Sequence, residues 1–263
     1  MNSSDWHAYF RQNQLDRRGI AWHERIRLDP WLRDPLARSL ARFQLGETSD
    51  GAGLNARARR LAQETGDYAY ANAVELFIAE KQEHSRLLAN VLEQLNAPLL
   101  RRHWSDWLFR RSRHLLGYYE EIAVLLMAEI IALKYYGAVR EGCGAPVLEI
   151  VCEQILADEK FHVRFHCERF HETIGRQALP IRAAWWWALT FMFVAASAVV
   201  AWDHRQAFRA LGGSATEFLR ESWANFRAAR EAIFSGVPFA RGAAEQAPSG
   251  LSGHHRHVPL SPA

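Results

Sequence analysis

The chain has 263 residues, a formal net charge of +3, and a composition that is 49% hydrophobic and 23% charged. This length is enough for one sizeable core, and the composition is ordinary for a globular protein. The small charge, without a basic run interleaved with aromatic residues, argues against nucleic-acid binding. Three cysteines without a CxxC pair argue against a disulfide framework, and the sequence does not open on a signal-peptide pattern. We therefore expect a cytoplasmic protein with reduced thiols.

Apolar residues recur at helical spacing along most of the chain, and the alternation typical of strands is almost absent. The first 33 residues are treated as an N-terminal extension. The pattern then predicts four long helices, over 34–65, 68–96, 117–140 and 146–175. The first of these contains three glycines, which kink or loosen it. The connection at 97–115 is long and has room for one short helix. Two helical hairpins joined by a long crossover have the connectivity of a four-helix bundle, so we expect an all-α fold.

Segment 183–202 contains no formal charge and has the length of a membrane span, with tryptophans near both ends. Three placements are open: a helix buried against the bundle or in a homodimer interface, attachment to a membrane surface, or a true span. We expect the buried helix, because the segment is rich in alanine and stands alone. A second additional helix is predicted over 214–234, which completes a unit at 176–235, and the Pro/Gly/Ala/Ser-rich tail at 236–263 is expected to be disordered.

The stretch "ILADEKFHVRFH" (155–166) places charged and polar residues on an apolar helix face. Glu159, His162 and His166 follow one another at helical spacing and share their face with Ile155 and Phe170. A face built from apolar residues normally points inward, where charge is costly unless it is paired or bound to a metal. The stretch therefore indicates a buried ion pair or a metal site.

The third predicted helix repeats this pattern with Glu129, which lies inside an apolar stripe. An inward Glu on one helix and Glu-x-x-His on its partner form the recurring half-site of carboxylate-bridged metal bundles. Glu129 and Glu159 lie at nearly equal distances along the chain from the turn between their helices, and so do Glu47 and His84 in the first hairpin. Polar residues at matching heights on antiparallel helices are expected to meet in the interior.

The segments "FQLGETSDG", "LFIAEKQEHSRLL", "EIAVLLMAEIIALKYYGAVR" and "ILADEKFHVRFH" together resemble the ferritin-like diiron-carboxylate superfamily. Acyl carrier protein desaturases, rubrerythrin-like proteins and bacterial N-oxygenases belong to it. The resemblance covers residues 34–175 and implies a ferritin-like bundle with iron, as one or two ions, or with manganese. It implies the ligands Glu47, His84, Glu129, Glu159 and His162.

One position departs from that pattern, because Lys81 stands where the first hairpin should carry the Glu of Glu-x-x-His. Two interpretations are open. A small helix rotation would let Glu80 bind metal beside His84, since residues four apart share a face. Alternatively Lys81 points inward, and its ammonium neutralises carboxylates that a second metal would otherwise bind.

Three further residues have supporting roles in this interpretation. Asp158 is expected to orient a ligand imidazole, as outer carboxylates do in metal sites. His166 is expected to support a ligand or to pack, with direct metal binding as the alternative. Tyr136 lies close to Glu129 on the same stripe and is expected to be a core residue, with a redox role as the alternative.

The resemblance implies a non-haem iron oxidoreductase that activates dioxygen and oxidises a small or acyl-type organic substrate, with electrons from a donor. The alternatives are a ferritin-like or rubrerythrin-like protein that handles metal or peroxide, and a metal-free helical scaffold in which Lys81 replaces a ligand. An apolar cavity beside Glu129 would favour the enzyme. A metal facing solvent would favour the second class, and a salt bridge from Lys81 that fills the centre would favour the third.

Overall fold

The computed structural model describes residues 1–49, 51–106 and 117–239, and within these ranges it is helical without strands. The helices in chain order are α1 (Ser3–Leu15), α2 (Pro30–Glu47), α3 (Ala52–Thr65), α4 (Tyr68–Gln94), α5 (Tyr118–Gly142), α6 (Pro146–Phe170), α7 (Leu179–Asp203), α8 (Arg205–Ala210) and α9 (Ala215–Ser235). A turn of π-helix, His171–Gly175, follows α6. The all-α prediction is confirmed.

The helices that carry the polar residues surround a common interior. Helix α2 packs on α4, α5 packs on α6 over most of their lengths, and α4 also contacts α6. Helix α5 is a core helix, and its buried residues come from nearly every position because α3, α6, α7 and α9 all pack against it. This arrangement directs Glu129 of α5 and Glu159 of α6 into the same space.

The predicted helix over 34–65 is wrong as a continuous element, because α2 ends at Glu47 and α3 begins at Ala52. Gly51 precedes α3 with a φ of 65°, in the left-handed region that favours glycine. A Cβ on Gly51 would lie 2.5 Å from the side chain of Ile78, so the backbone here approaches α4 more closely than another residue would permit. The break leaves Glu47 as the last residue of α2, facing α4.

The N-terminal extension contains a helix that was not predicted from the sequence. Helix α1 begins with a capping box, in which the side chains of Asn2 and Asp5 accept hydrogen bonds from each other's backbone N–H. Trp6 and Phe10 are buried, and α1 packs along α4. The same face brings Asn13 to the interior of the bundle.

The remaining predictions on chain organisation have mixed outcomes. The second, third and fourth helices lie within a few residues of their predicted bounds. The C-terminal unit contains the two expected long helices, α7 and α9, and also the short α8. Residues 107–116 of the predicted connection and 240–263 of the predicted disordered tail lie outside the described residues.

Helix α7 covers the uncharged segment 183–202 and packs by one face only. Leu189, Phe193, Ser197 and Ala201 are buried, and Phe193 stacks on Phe226 of α9 with ring centroids 4.4 Å apart. The opposite face is exposed and apolar within a single chain, so the helix packs on the bundle by one face, and a homodimer interface that would cover the other face stays a prediction.

Two of the described helices, α5 and α7, are long and apolar enough to cross a membrane by length and composition. The most apolar 18-residue window of α5 is 72% buried inside the protein, as expected for a core helix, whereas that of α7 is 17% buried. Length and composition alone are weak evidence for a membrane span, because core helices of soluble proteins pass the same test.

Candidate metal centre

Four helices direct ionisable side chains to one point in the interior. Glu47 comes from the end of α2, Lys81 and His84 from α4, Glu129 from α5, and Glu159 and His162 from α6. His84, Glu129, Glu159 and His162 have no exposed surface, and Glu47 is 7% exposed. These side chains are therefore shielded from bulk water, and their charges must be balanced by one another or by a bound cation.

The two inward histidines are held crosswise between α4 and α6. His84 Nε2 lies 2.9 Å from Asp158 Oδ2, and His162 Nε2 lies 2.8 Å from Glu80 Oε2. Each carboxylate stands four residues before the other histidine of the pair, so the two helices exchange equivalent hydrogen bonds. Metal-ligating histidines characteristically donate their second ring N–H to a carboxylate in this way, because the bond fixes the tautomer and the ring orientation.

Asn13 of α1 is hydrogen-bonded to the carboxylates of both Glu80 and Asp158. Its Nδ2 donates to Glu80 Oε1 at 2.7 Å and to Asp158 Oδ1 at 2.8 Å. The sequence reading missed Asn13, although a usable signal existed: Trp6, Phe10 and Asn13 follow helical spacing on one face. The centre is thus supported by a helix outside the four that carry the inward residues.

Because the Nε2 atoms are occupied, the Nδ1 atoms of both histidines face Glu159. His84 Nδ1 lies 3.4 Å from Glu159 Oε1, and His162 Nδ1 lies 3.3 Å from Glu159 Oε2. The potential ligand atoms form two groups, and the atoms of each group lie within 4.8 Å of one another. One group contains Glu47, His84 and Glu159, and the other contains Glu129, Glu159 and His162. We name these the Glu47 side and the Glu129 side. Their donor set of carboxylates and imidazoles is one that divalent metal ions bind.

Lys81 lies inside the Glu47 side. Its Nζ is 2.9 Å from Glu47 Oε2 and 2.9 Å from Glu159 Oε1, so the ammonium bridges the two carboxylates. Burial alone would lower the pKa of Lys81, but Glu159, Glu47 and Glu129 together raise it above its usual value. Lys81 therefore points inward, which is the geometry that the second interpretation requires.

The two partners of Lys81 respond differently to their surroundings. Burial tends to raise the pKa of Glu159, but Lys81, His162 and His84 hold that pKa well below its usual range. For Glu47, burial prevails over the attraction of Lys81 and raises the pKa. The lowered pKa of Glu159 favours its ionised form beside the ammonium.

Glu129 is the least satisfied of the buried acids. Neither carboxylate oxygen has a hydrogen-bond partner among the described residues, and the same holds for both ring nitrogens of the buried His166. His166 Nε2 lies 3.4 Å from Glu129 Oε1, which places it beside this carboxylate. Buried polar atoms without partners are rare and often mark the position of an ion, a water or a ligand.

Three further residues of the sequence prediction lie around the converging ligand atoms. Asp158 orients an imidazole as expected, and the imidazole is that of His84. Glu80 lies at the outer nitrogen of His162 and is not among the converging ligand atoms, so its role as a ligand beside His84 stays a prediction. Tyr136 is fully buried, and its hydroxyl has no hydrogen-bond partner among the described residues. The ligand roles of the other residues stay a prediction.

An apolar cavity of about 530 Å³ adjoins the centre. Its wall includes Glu47, Lys81 and Glu129 together with side chains from α2 to α5 and α7, among them Phe43, Leu54, Phe77, Leu125 and Met192. The wall also reaches Phe191 on α7, which is 75% exposed. The volume lies within the range of ligand pockets, which are typically lined by apolar groups with a few polar ones.

The sequence matches no protein-family model, no curated protein and no solved structure. The resemblance to ferritin-like proteins consequently depends on the sequence segments alone and stays a prediction.

His204 in the cavity wall provides a prediction about acid stability. Its Nδ1 lies 2.6 Å from Ser39 Oγ, and Asp203, Arg42 and His103 are its charged or titratable neighbours. Burial, with Arg42 and His103, lowers the pKa of His204 to about 3, so the folded state favours the neutral ring. An unfolded histidine has a pKa of about 6.5 and binds a proton first as the pH falls.

The stability that depends on neutral His204 is therefore present above about pH 6.5 and is lost progressively toward pH 3, by about 2 kcal/mol between pH 7 and pH 5. Urea unfolding at both pH values should show this loss in the wild type relative to His204→Gln, which cannot titrate. An equal pH dependence in the two proteins would contradict the prediction.

Proposed function

We propose that this protein is a metal-dependent oxidoreductase of the ferritin-like type, which uses dioxygen to oxidise an apolar or acyl-type organic substrate. Glu129 carries the proposal, because it belongs both to a group of converging ligand atoms and to the wall of the apolar cavity. A substrate in that cavity would lie against the centre. A buried carboxylate without a hydrogen-bond partner at this junction is explained most simply by a cation.

The residues present fit a non-haem iron ion. Glu47, His84, Glu129, Glu159 and His162 offer carboxylate oxygens and imidazole nitrogens, and the orphaned oxygens of Glu129 and the unpartnered Nδ1 of His84 point to a missing partner. When bound, the metal would supply redox chemistry and an open position for dioxygen. Glu159 lies between the two sides and offers one oxygen to each.

The surrounding residues would keep the centre ordered and dry. Asp158 and Glu80 hold the two imidazoles by their outer nitrogens, and Asn13 holds both carboxylates. A substrate bound against the apolar wall of the cavity would displace water, which would strengthen electrostatic interactions in the site and protect reactive species from side reactions. Lys81 reduces the negative charge at the end of the cavity.

Metal ligands must be deprotonated, and this couples metal binding to proton release. Burial would lower the pKa of His162, but its hydrogen bonds to Glu159 and Glu80 raise that pKa to about 10 in the metal-free protein. Metal binding through its Nδ1 would release this proton.

A metal-free scaffold is the second candidate function, and the Lys81 bridge favours it. The ammonium joins Glu47 and Glu159 at 2.9 Å each, and so replaces one cation of a dinuclear centre. The remaining carboxylate, Glu129, has no such partner among the described residues, which is why we prefer the enzyme. A protein that stores metal is less favoured, because a metal facing solvent would favour storage and the converging ligand residues are buried.

The proposal is tested by reaction of bound iron with dioxygen, which requires no knowledge of the substrate. Protein loaded anaerobically with Fe²⁺ and freed of excess metal should oxidise its iron on exposure to dioxygen faster than Fe²⁺ in buffer. Glu129→Gln should lose the bound iron and this reaction, whereas Glu120→Gln in the first turn of α5, outside the converging ligand groups, should retain both. An iron-loaded wild type that oxidises no faster than free Fe²⁺ would contradict the proposed function.

A substitution in the cavity should separate substrate binding from metal binding. Ala128 is half-buried in the cavity wall, and a phenylalanine there would fill part of the volume. We expect Ala128→Phe to weaken the binding of cis-parinaric acid, a fluorescent acyl probe, by roughly tenfold or more, which corresponds to about 1.4 kcal/mol. Metal content should be unchanged. Ala138→Phe, at a half-buried alanine of α5 outside the cavity wall, is the matched control and should bind the probe normally.

A further inference from the structure

We infer that the centre holds one divalent cation, on the Glu129 side, and that the Lys81 ammonium is a built-in cation that occupies the Glu47 side. This inference rests on the proposed metal dependence and specifies it. The centre would then be a mixed site, in which Glu159 is shared between a metal ion and an ammonium group.

The two oxygens of Glu159 are divided between the two sides. Oε1 accepts from Lys81 at 2.9 Å and lies 3.4 Å from His84 Nδ1, whereas Oε2 lies 3.3 Å from His162 Nδ1. A metal on the Glu47 side would need the Glu159 oxygen that Lys81 already binds. The Glu129 side has no such competitor, because the hydrogen bonds of Lys81 to the described residues go to Glu47 and Glu159.

The unsatisfied carboxylate oxygens point to the same side, although Nδ1 of His84 on the Glu47 side is also buried without a hydrogen-bond partner among the described residues. Lys81 satisfies Glu47 and one oxygen of Glu159, so the Glu47 side has its cation. Both oxygens of Glu129 are buried without a hydrogen-bond partner among the described residues. Leaving a carboxylate in that condition is costly, and a cation between Glu129, Glu159 and His162 would remove the cost.

The charges of the centre also favour a single metal. The carboxylates of Glu47, Glu129 and Glu159 are balanced by one ammonium and one divalent cation. Asp158 and Glu80 are hydrogen-bonded to the outer nitrogens of His84 and His162, so they are not available as ligands of a second ion. A second divalent cation would have to lie beside the Lys81 ammonium, and like charges that close repel each other strongly in low-dielectric surroundings.

The chain offers a matched test, because each side contributes one glutamate and one histidine of its own. The metal-free protein is titrated anaerobically with Co²⁺, whose visible absorption reports on binding, and the bound metal is counted by elemental analysis. We expect the wild type to bind one Co²⁺ per chain. Glu129→Gln and His162→Gln should weaken binding by more than about 100-fold, beyond the 10–100-fold typical of residues that only support a ligand.

Glu47→Gln and His84→Gln are the counterparts on the other side, and both should still bind one Co²⁺ with an affinity within about tenfold of the wild type. Circular dichroism before each titration confirms that the four variants are folded. If Glu129→Gln fails to fold, His162→Gln supplies the same comparison. Pulsed EPR of the Cu²⁺-substituted protein gives an independent reading, since the imidazole nitrogen signal should disappear in His162→Gln and persist in His84→Gln.

The outcomes separate the inference from the proposed function. Two Co²⁺ per wild-type chain, or loss of binding in Glu47→Gln and His84→Gln with retention in Glu129→Gln, would overturn the inference while the proposed metal dependence stands. Failure of the wild type to bind Co²⁺, Fe²⁺ or Mn²⁺ at all would overturn both. One Co²⁺ that depends on Glu129 and His162 alone supports the mixed centre.

Discussion

Replacing Lys81 by glutamate is expected to raise the metal content from one ion per chain toward two. The substitution restores Glu-x-x-His in α4 together with His84, and it removes the ammonium that bridges Glu47 and Glu159. The Glu47 side would then offer Glu47, the introduced carboxylate, His84 and a free oxygen of Glu159, which matches the half-site on α5 and α6. Elemental analysis after anaerobic loading with Fe²⁺ measures the change.

Two controls show that the effect is specific to this position. Lys160 is exposed on α6, so Lys160→Glu changes the net charge equally without touching the centre and should leave the metal content at one. Lys81→Gln removes the ammonium without adding a carboxylate and should fall between the wild type and Lys81→Glu. A wild type that already holds two ions, or a Lys81→Glu protein that still holds one, would show that Lys81 does not determine the number of metals.

Replacing Lys81 by alanine is expected to destabilise the metal-free protein by about 3–5 kcal/mol, the magnitude typical of removing one partner from a buried ion pair. The side chain of Lys81 is only 17% exposed, and Glu159 beneath it is fully buried. Removal of the ammonium leaves the carboxylates of Glu47 and Glu159 without the charge that bridges them. Urea unfolding of the metal-free wild type and variant measures the difference.

Lys134 provides the matched control, because its side chain is about as exposed as that of Lys81, at 20%, but its ion-pair partner, Glu221 of α9, is 35% exposed and so reaches solvent. Such pairs are worth about 0–1 kcal/mol, so Lys134→Ala should have a small effect. Lys81→Met retains the aliphatic stem and should destabilise nearly as much as alanine if charge is the cause. Equal, small losses for Lys81→Ala and Lys134→Ala would mean that Lys81 does not support the buried carboxylates.

The main helices and the meeting of their polar residues could be predicted from the sequence because the signals are local. The Asp67 cap fixes the start of α4, and the apolar stripe around Glu129 fixes the inward face of α5. The turn between α5 and α6 is short, so matching heights along the chain become proximity in space. The same reasoning placed Glu47 near α4, although the helix expected to run past Glu47 is broken.

That break and the role of α1 depend on tertiary contacts. Glycines inside a helical pattern permit a kink or a full stop, and the close approach of Gly51 to Ile78 decides in favour of the stop. Helix α1 has a polar sequence with few apolar residues, so its packing on α4 is weakly encoded. Asn13 acquires its importance only because Glu80 and Asp158 lie opposite it.

The choice between Lys81 and Glu80 could not be made from the sequence, because neighbouring residues differ by about 100° on a helix and a small rotation exchanges them. Contacts with Glu47 and Glu159 hold Lys81 inward, and a contact with His162 holds Glu80 to the side. Helix α7 is a similar case. Its uncharged sequence is compatible with burial, and only the packing of Leu189 and Phe193 on one face reveals how much of it stays exposed.

The metal content of the protein, purified anaerobically and loaded with Fe²⁺, tests the account most directly. Elemental analysis after removal of unbound metal should find close to one iron per chain, and Glu129→Gln should reduce that value to near zero. A wild-type protein that is folded and holds no iron, manganese or cobalt under these conditions would contradict the account, and the Lys81 bridge would then mark a metal-free scaffold.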